Sequence, residues 1–248
     1  MTVHCIHIPI PAPALPAPEP TAPDARLGAA FEFIRGGTMA DVGTDHAYLP
    51  IALLRRELVD FAVATDIHRG PAEVAAAHLA ANGIGEDRAA VLLTDGLHGA
   101  EDYHPTDICI FGMGGEMIAH IIKEAPWLKQ ASIRLILQPM TKQDTLREYQ
   151  DQNGFRIRDE RLVKTDRIYQ ILCAEYDGNT RTHSLPELLM GKQNLERNDA
   201  LSQELARRHV DILTAARAGK QKGANPDTTR EDELLDFFHH YLNPNTEA

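Results

Sequence analysis

Cysteine is scarce in this 248-residue chain: Cys5, Cys109 and Cys173 are odd in number and widely separated. Such spacing builds neither a disulfide framework nor a zinc ribbon, and it points to a reducing, cytoplasmic setting. Metal-ligand spacing is missing too. His4, Cys5 and His7 lie near one another, but in a proline-interrupted segment they read as incidental. His68, His78, His98, His104 and His120 are scattered, so no metal is expected. The N-terminal run HCIHIPIPAPALPAPEPTAP has no basic region before its apolar residues, and prolines interrupt those residues. It suits neither a signal peptide nor a membrane span, and residues 1–23 are expected to form a disordered, Pro-rich tail. Positive charge is also in deficit. The net charge of −11 argues against a blanket electrostatic affinity for nucleic acid, so any polyanion must be met by a local basic face.

What is present is material for a core, since 43% of the residues are hydrophobic. Asp24 is placed to cap a first helix, with Leu27, Ala30, Phe31 and Ile34 as its apolar stripe and Gly36-Gly37 as its stop. Apolar runs at 38–42, 61–65, 89–93, 108–111 and 133–137 have strand length and lie between helix-like or turn-like segments, which predicts parallel strands. Gly70-Pro71 opens one intervening helix and Asn82-Gly83 closes it, while Thr141 and Asp144 read as the capping box of another. GFRIRDERLV and RIYQILCAEY are joined by KTD, too short for a crossover helix, so these two strands should pair antiparallel. The expectation is an α/β domain over 24–180, a Rossmann-like parallel sheet with a terminal antiparallel hairpin. Over 181–248 a helical hairpin is expected. Ser184 and Glu187 form a capping box around Pro186 as first helical residue; Leu201, Leu205, Ile212 and Ala216 stripe a long helix; Thr228 and Glu231 cap a second.

Open α/β sheets bind ligands beyond the carboxyl ends of their strands. At those ends stand Asp41, Gly43, Thr44, Asp45 and His46; then Asp66; then Asp95 and Gly96; then Gly112, Met113, Gly114 and Gly115; then Gln138 and Pro139. Asp66 follows Gly43 by about 20 residues, where a carboxylate can accept both hydroxyls of an adenosine ribose. NAD satisfies that requirement as well. The first turn discriminates, because a pyrophosphate needs bare amides and Asp45 would repel it by up to about a few kcal/mol at partial burial. S-adenosylmethionine has no phosphate and carries a sulfonium and an ammonium, which acidic side chains attract. Asp95 can accept from the adenine amino group, and Gly96 lets backbone approach the ring. Each acid also has a plainer reading, Asp41 and Asp95 as helix caps and Asp66 as a turn residue, but the acids recur at successive strand ends.

ADVGTDHAYLPIAL, TDIHRGP, LLTDGL, DICIFGMGGEMI, LILQPM and IYQIL, in that order over residues 26–175, resemble the bacterial tRNA (adenine-22, N1) methyltransferase family. The resemblance implies a class I methyltransferase sheet, an S-adenosylmethionine cofactor, a tRNA substrate and a coiled-coil-like C-terminal extension. It departs at QPM, where asparagine is expected after the proline, and in the proline-rich N-terminus. In the implied reaction a neutral ring nitrogen attacks a methyl group on sulfur, so alignment and charge placement matter more than a strong base. Asp45 is then placed to favour the cationic product ring, His46 to hold Asp45 or the base, and Tyr48 to stack on it. Gly112, Met113, Gly114 and Gly115 would wall the base pocket beside Gln138 and Pro139. Arg26, Arg35, Arg156, Arg158, Arg161, Lys164, Arg167, Arg207, Arg208, Arg217, Lys220 and Lys222 are candidates for phosphate contact. No protein partner is implied. A small-molecule methyltransferase, favoured by the acidic balance, and a non-catalytic RNA-binding module on a degenerate cofactor fold remain alternatives.

Overall fold

The computed structural model describes residues 5–12, 24–222 and 226–244. Its first element corrects the expected tail. Strand β1 (Ile6–Ile8) pairs antiparallel with β4 (Ala89–Leu93), with Ile8 opposite Val91. Ile8 and Ile10 are buried in the core, which outweighs the local bias toward disorder; Pro9 and Pro11 follow the strand, where no ladder hydrogen bond is lost. Residues 1–4 and 13–23 of the expected tail lie outside the described residues.

The strands β2 (Thr38–Val42), β3 (Phe61–Asp66), β4, β5 (Asp107–Gly114) and β6 (Arg134–Thr141) pair in parallel, as their apolar runs predict. Successive residues of β2 point to opposite faces, Met39 into one core and Ala40 into the other, so both faces are covered. Helices α2 (Tyr48–Arg55) and α3 (Arg69–Ala81) contribute Leu53 and Leu79 to the first core, while α4 (Gly115–Glu124) and α5 (Gln143–Gln152) contribute Ile118 and Leu146 to the second. The antiparallel pair β7 (Phe155–Lys164) and β8 (Ile168–Tyr176) completes the sheet, with order β1-β4-β3-β2-β5-β6-β8-β7. The order reverses between β2 and β5, and there the loops after these strands diverge to leave a crevice.

Local readings are adjusted in several places. The first helix, α1 (Ala25–Gly28), is capped by Asp24 but tightens into a 3₁₀ turn over Ala29–Phe33. Thr141 belongs to β6 and does not cap α5; Lys142, in the left-handed conformation, precedes that helix. In the extension the Ser184–Glu187 capping box forms, with Pro186 in the second helical position, but α6 (Leu185–Met190) stops at Gly191. Helix α7 (Lys192–Arg197) stops at left-handed Asn198, so the expected long helix is only α8 (Ala200–Gln221). Leu205 of α8 is buried in the cluster it shares with α9 (Thr229–Leu242), whereas Ile212 is half exposed. Thr228 and Glu231 form no capping box: Thr228 donates to Asp232, and Glu231 accepts from Lys220.

Candidate functional site

The turn after β2 is built around Gly43, whose φ of 69° favours glycine. A Cβ there would collide with the Met113 methyl group, so the residue keeps two loops in contact. The Gly43 and Thr44 amides both donate to the Thr65 carbonyl, at 2.8 and 3.0 Å, which ties the turn to β3. Asp41 is buried and accepts the Thr44 hydroxyl at 2.7 Å. Burial pushes its carboxyl up to about 6; the Thr44 hydroxyl offsets part of this rise and the nearby Asp66 charge adds to it.

Beyond Thr44 the backbone is strained. Asp45 and Ala47 hold φ of 50° and 55°, the left-handed region that costs a non-glycine residue on the order of 1–3 kcal/mol. The Asp45 side chain is 69% exposed, with one close polar neighbour, the His46 Nε2 at 3.5 Å. His46 stacks on Tyr48 and on His78 of α3, each with ring centroids 5.3 Å apart. His46 Nδ1 is buried with no hydrogen-bond partner among the described residues. Tyr48, 58% exposed at the start of α2, faces the crevice.

Met113 divides the crevice. Strand β5 changes register on both sides of it, and Gly112 takes a φ of 79°, a bulged geometry that re-aims the side chain against Gly43. On one side a cavity of about 330 Å³ is lined by Arg26, Asp41, Asp45, Tyr48 and Phe111. On the other, a cavity of about 390 Å³ is lined by Asp66, Ile67, Asp95, Gly96, Met117 and Ile121. Asp66 accepts the His68 amide through Oδ1 at 2.8 Å, and its Oδ2 makes no hydrogen bond among the described residues. Asp95 is exposed at the cavity rim, beside Gly96 with φ of 57°. Ile67 and Met117, both more than half exposed, offer flat apolar walls there. Neither belongs to a sequence motif of its own, although Ile67 directly follows the Asp66 strand end.

The residues of β6 expected beside the base are not in the lining of either cavity. Gln138 and Pro139 lie inside β6, which runs to Thr141, because Pro139 continues the ladder opposite Met113. Gln138 is fully buried and its Oε1 accepts from Arg26 at 3.1 Å. Arg26 also lies 5.6 Å over the Tyr169 ring, so it is a fixed part of the cavity wall. Tyr169 was not singled out from sequence; its contact with Arg26 spans most of the chain and leaves no local pattern. Gly115 begins α4 and is buried, and a Cβ on it would collide with the Lys142 carbonyl. The helix start is thus packed closely against the next turn, and Gly115 is not in the lining of either cavity.

Most of the candidate phosphate contacts are already occupied. Arg35 pairs with Asp107, Arg158 with Glu175, Arg161 with Asp159, Lys164 with Glu204, Arg167 with Asp166, Arg217 with Asp232 and Lys220 with Glu231. Arg156, Arg207, Arg208 and Lys222 are exposed and have no carboxylate partner among the described residues. No cluster among the described residues has the makings of a metal site.

These features fit a cationic, phosphate-free nucleoside. A buried carboxylate with a raised pKa gains from a nearby cation, and the second cavity combines a free carboxylate oxygen with apolar walls. The comparisons agree. The methyltransferase-domain family matches residues 24–172. A Bacillus subtilis (strain 168) tRNA (adenine(22)-N(1))-methyltransferase is 33% identical over 162 residues, which cover 62% of this chain and 68% of the relative. The crystal structure of the B. subtilis m1A22 tRNA methyltransferase superposes with a TM-score of 0.72 at 27% identity, covering 88% and 94% of the two chains. A Streptococcus pneumoniae protein assigned as a tRNA (m1A22) methyltransferase, solved with S-adenosyl-L-methionine, superposes at 0.78 with 28% identity, covering 89% and 99%.

Proposed function

Because this chain belongs to the methyltransferase-domain family, and within it to the tRNA (adenine(22)-N(1))-methyltransferases, we infer that it methylates N1 of adenine 22 in tRNA, using S-adenosyl-L-methionine. The observation that carries this reading is the set of carboxylates, Asp41, Asp45, Asp66 and Asp95, around a crevice divided by Met113. When bound, the cofactor supplies a methyl group activated by positively charged sulfur.

Asp66 would hold the ribose hydroxyls through its free Oδ2, and Asp95 with Gly96 the adenine edge, between Ile67 and Met117. Asp41, joined by Gly43, Gly112, Met113 and Gly114, would serve the amino-acid end, where a buried anion is stabilised by an ammonium. The first cavity would take the target base. There Tyr48 stacks on the ring, Asp45 lies beside the exocyclic amino group and stabilises positive charge as N1 is alkylated, and His46 steadies Asp45. Arg26, anchored by Gln138, closes that wall. Arg207 and Arg208 on α8 would meet tRNA phosphates, which makes residues 181–248 a substrate-binding extension to a catalytic unit spanning 24–180.

No helix among the described residues is long and apolar enough to cross a membrane. Action in the cytoplasm, where tRNA is modified, accords with the unpaired cysteines. The test is methyl transfer from labelled cofactor to an unmodified tRNA transcript, then digestion to nucleosides. The expected result is 1-methyladenosine, lost when adenine 22 is replaced by guanine; label in another nucleoside, or persisting in the replaced transcript, would refute the assignment.

A further inference from the structure

The Asp45 carboxylate has little of its own to hold it. It is exposed, its one ion-pair partner among the described residues is the His46 imidazole nitrogen 3.5 Å away, and it stands at a left-handed residue separated by one position from another, Ala47. Its direction is therefore set by the backbone of the turn. Two hydrogen bonds close that turn from within its own strand-helix connection: Ala47 N–H to the Thr44 carbonyl at 2.9 Å, and Ile51 N–H to the Ala47 carbonyl at 3.0 Å. A third contact comes from outside. His78, on α3, places Nδ1 at 3.2 Å from the His46 carbonyl. A carbonyl only accepts, so this nitrogen carries the proton. The same ring stacks on His46 with planes 27° apart and lies 6.0 Å from Tyr48, so it touches both residues flanking Ala47.

We propose that His78 is a positioning residue for methyl transfer: its Nδ1–H grips the His46 carbonyl, and its ring backs His46 and Tyr48, fixing the turn that aims Asp45 into the base cavity. His78 is absent from the linings of both cavities, so it acts through the turn and touches neither substrate nor cofactor. The consequence is a separation of effects. The cofactor carboxylates Asp66 and Asp95 lie on other loops, tied down through β3 and the turn after β4, and do not depend on this contact. Loss of the grip therefore lowers turnover and leaves cofactor affinity alone, because displacing a reacting group by about 1 Å costs about 100-fold in rate. The proposal rests on the reading of Asp45 as the base-facing carboxylate.

The experiment compares His78→Leu, which removes the donor, with His78→Asn, whose side-chain amide can place an N–H near the Nδ1 position, and with Asp45→Ala. For each full-length variant, kcat on saturating tRNA, the dissociation constant for S-adenosylhomocysteine, and the thermal midpoint are measured. The expected result is a fall in kcat of about 10- to 100-fold for His78→Leu, with nucleoside affinity and thermal midpoint near those of the parent. Recovery to within about threefold is expected for His78→Asn. Parental kcat in His78→Leu beside an inactive Asp45→Ala would overturn the positioning role alone. A loss in His78→Leu that appears equally in cofactor affinity, or that His78→Asn does not restore, would also overturn it. Full activity of Asp45→Ala would instead overturn the reading on which it stands.

Discussion

At the scale of single residues the crevice depends on charges whose cost is borne by the free protein. Asp41 shows this best. Its carboxyl titrates near 6 in the folded chain against an ordinary value of 3.8, with burial as the main cause. Between those values the folded chain keeps a proton that the unfolded chain has released. The stability contributed by protonated Asp41 is thus complete below about pH 4 and lost as pH rises through 6, a cost of about 3 kcal/mol at neutral pH. Asp41→Asn is expected to raise the unfolding free energy by about 2 kcal/mol at pH 7.5 and by less than about 1 kcal/mol at pH 4, while weakening the cofactor. Urea titrations at the two pH values check the sign; an equal gain at both would show that the buried charge carries no cost. The acids at strand ends were legible because they break the rule for a phosphate-binding turn. The contact of His78 was not, since it meets the turn through a backbone carbonyl, which no side-chain pattern encodes.

At the scale of elements, apolar runs of strand length identified the parallel strands and the short KTD link identified the hairpin, since both rest on local periodicity. Two kinds of element escaped. The apolar runs end short of the ends of β5 and β6, because glycines and a proline normally end strands, whereas here a bulge at Met113 lets the pairing continue to Gly114 and Thr141. Strand β1 escaped because its three residues become a strand only by covering the edge of β4, a contact more than 80 positions away in the chain. Ile8 is 6% exposed and belongs to the same core as α3. Ile8→Ala should cost about 2–4 kcal/mol in urea denaturation without altering the site. An unchanged midpoint would mean that the edge of β4 stands without this cover.

At the scale of the whole molecule, an acidic chain must both hold a cation in its crevice and meet a polyanion elsewhere. The extension is fastened to the sheet by a buried group: Arg147 of α5 bonds Glu160 of β7, Gln170 of β8 at 2.7 Å and the Leu188 carbonyl of α6 at 2.9 Å. Removing one partner of such a buried pair costs about 3–5 kcal/mol, so this group ties α6 of the extension to the sheet. With Arg217 and Lys220 engaged inside the helical hairpin, Arg207 and Arg208 of α8 are exposed and have no carboxylate partner among the described residues. Reversing both to glutamate should weaken tRNA retention on filters by about tenfold or more at moderate salt and leave cofactor affinity unchanged. Unchanged retention would move the RNA contact off α8. The larger claim is that acids ring the crevice because its ligand is a positively charged sulfur nucleoside without phosphate. Calorimetry with S-adenosylmethionine and with NAD tests this directly: micromolar binding of the first and none of the second is predicted, and micromolar binding of NAD with no response to the methyl donor would contradict it.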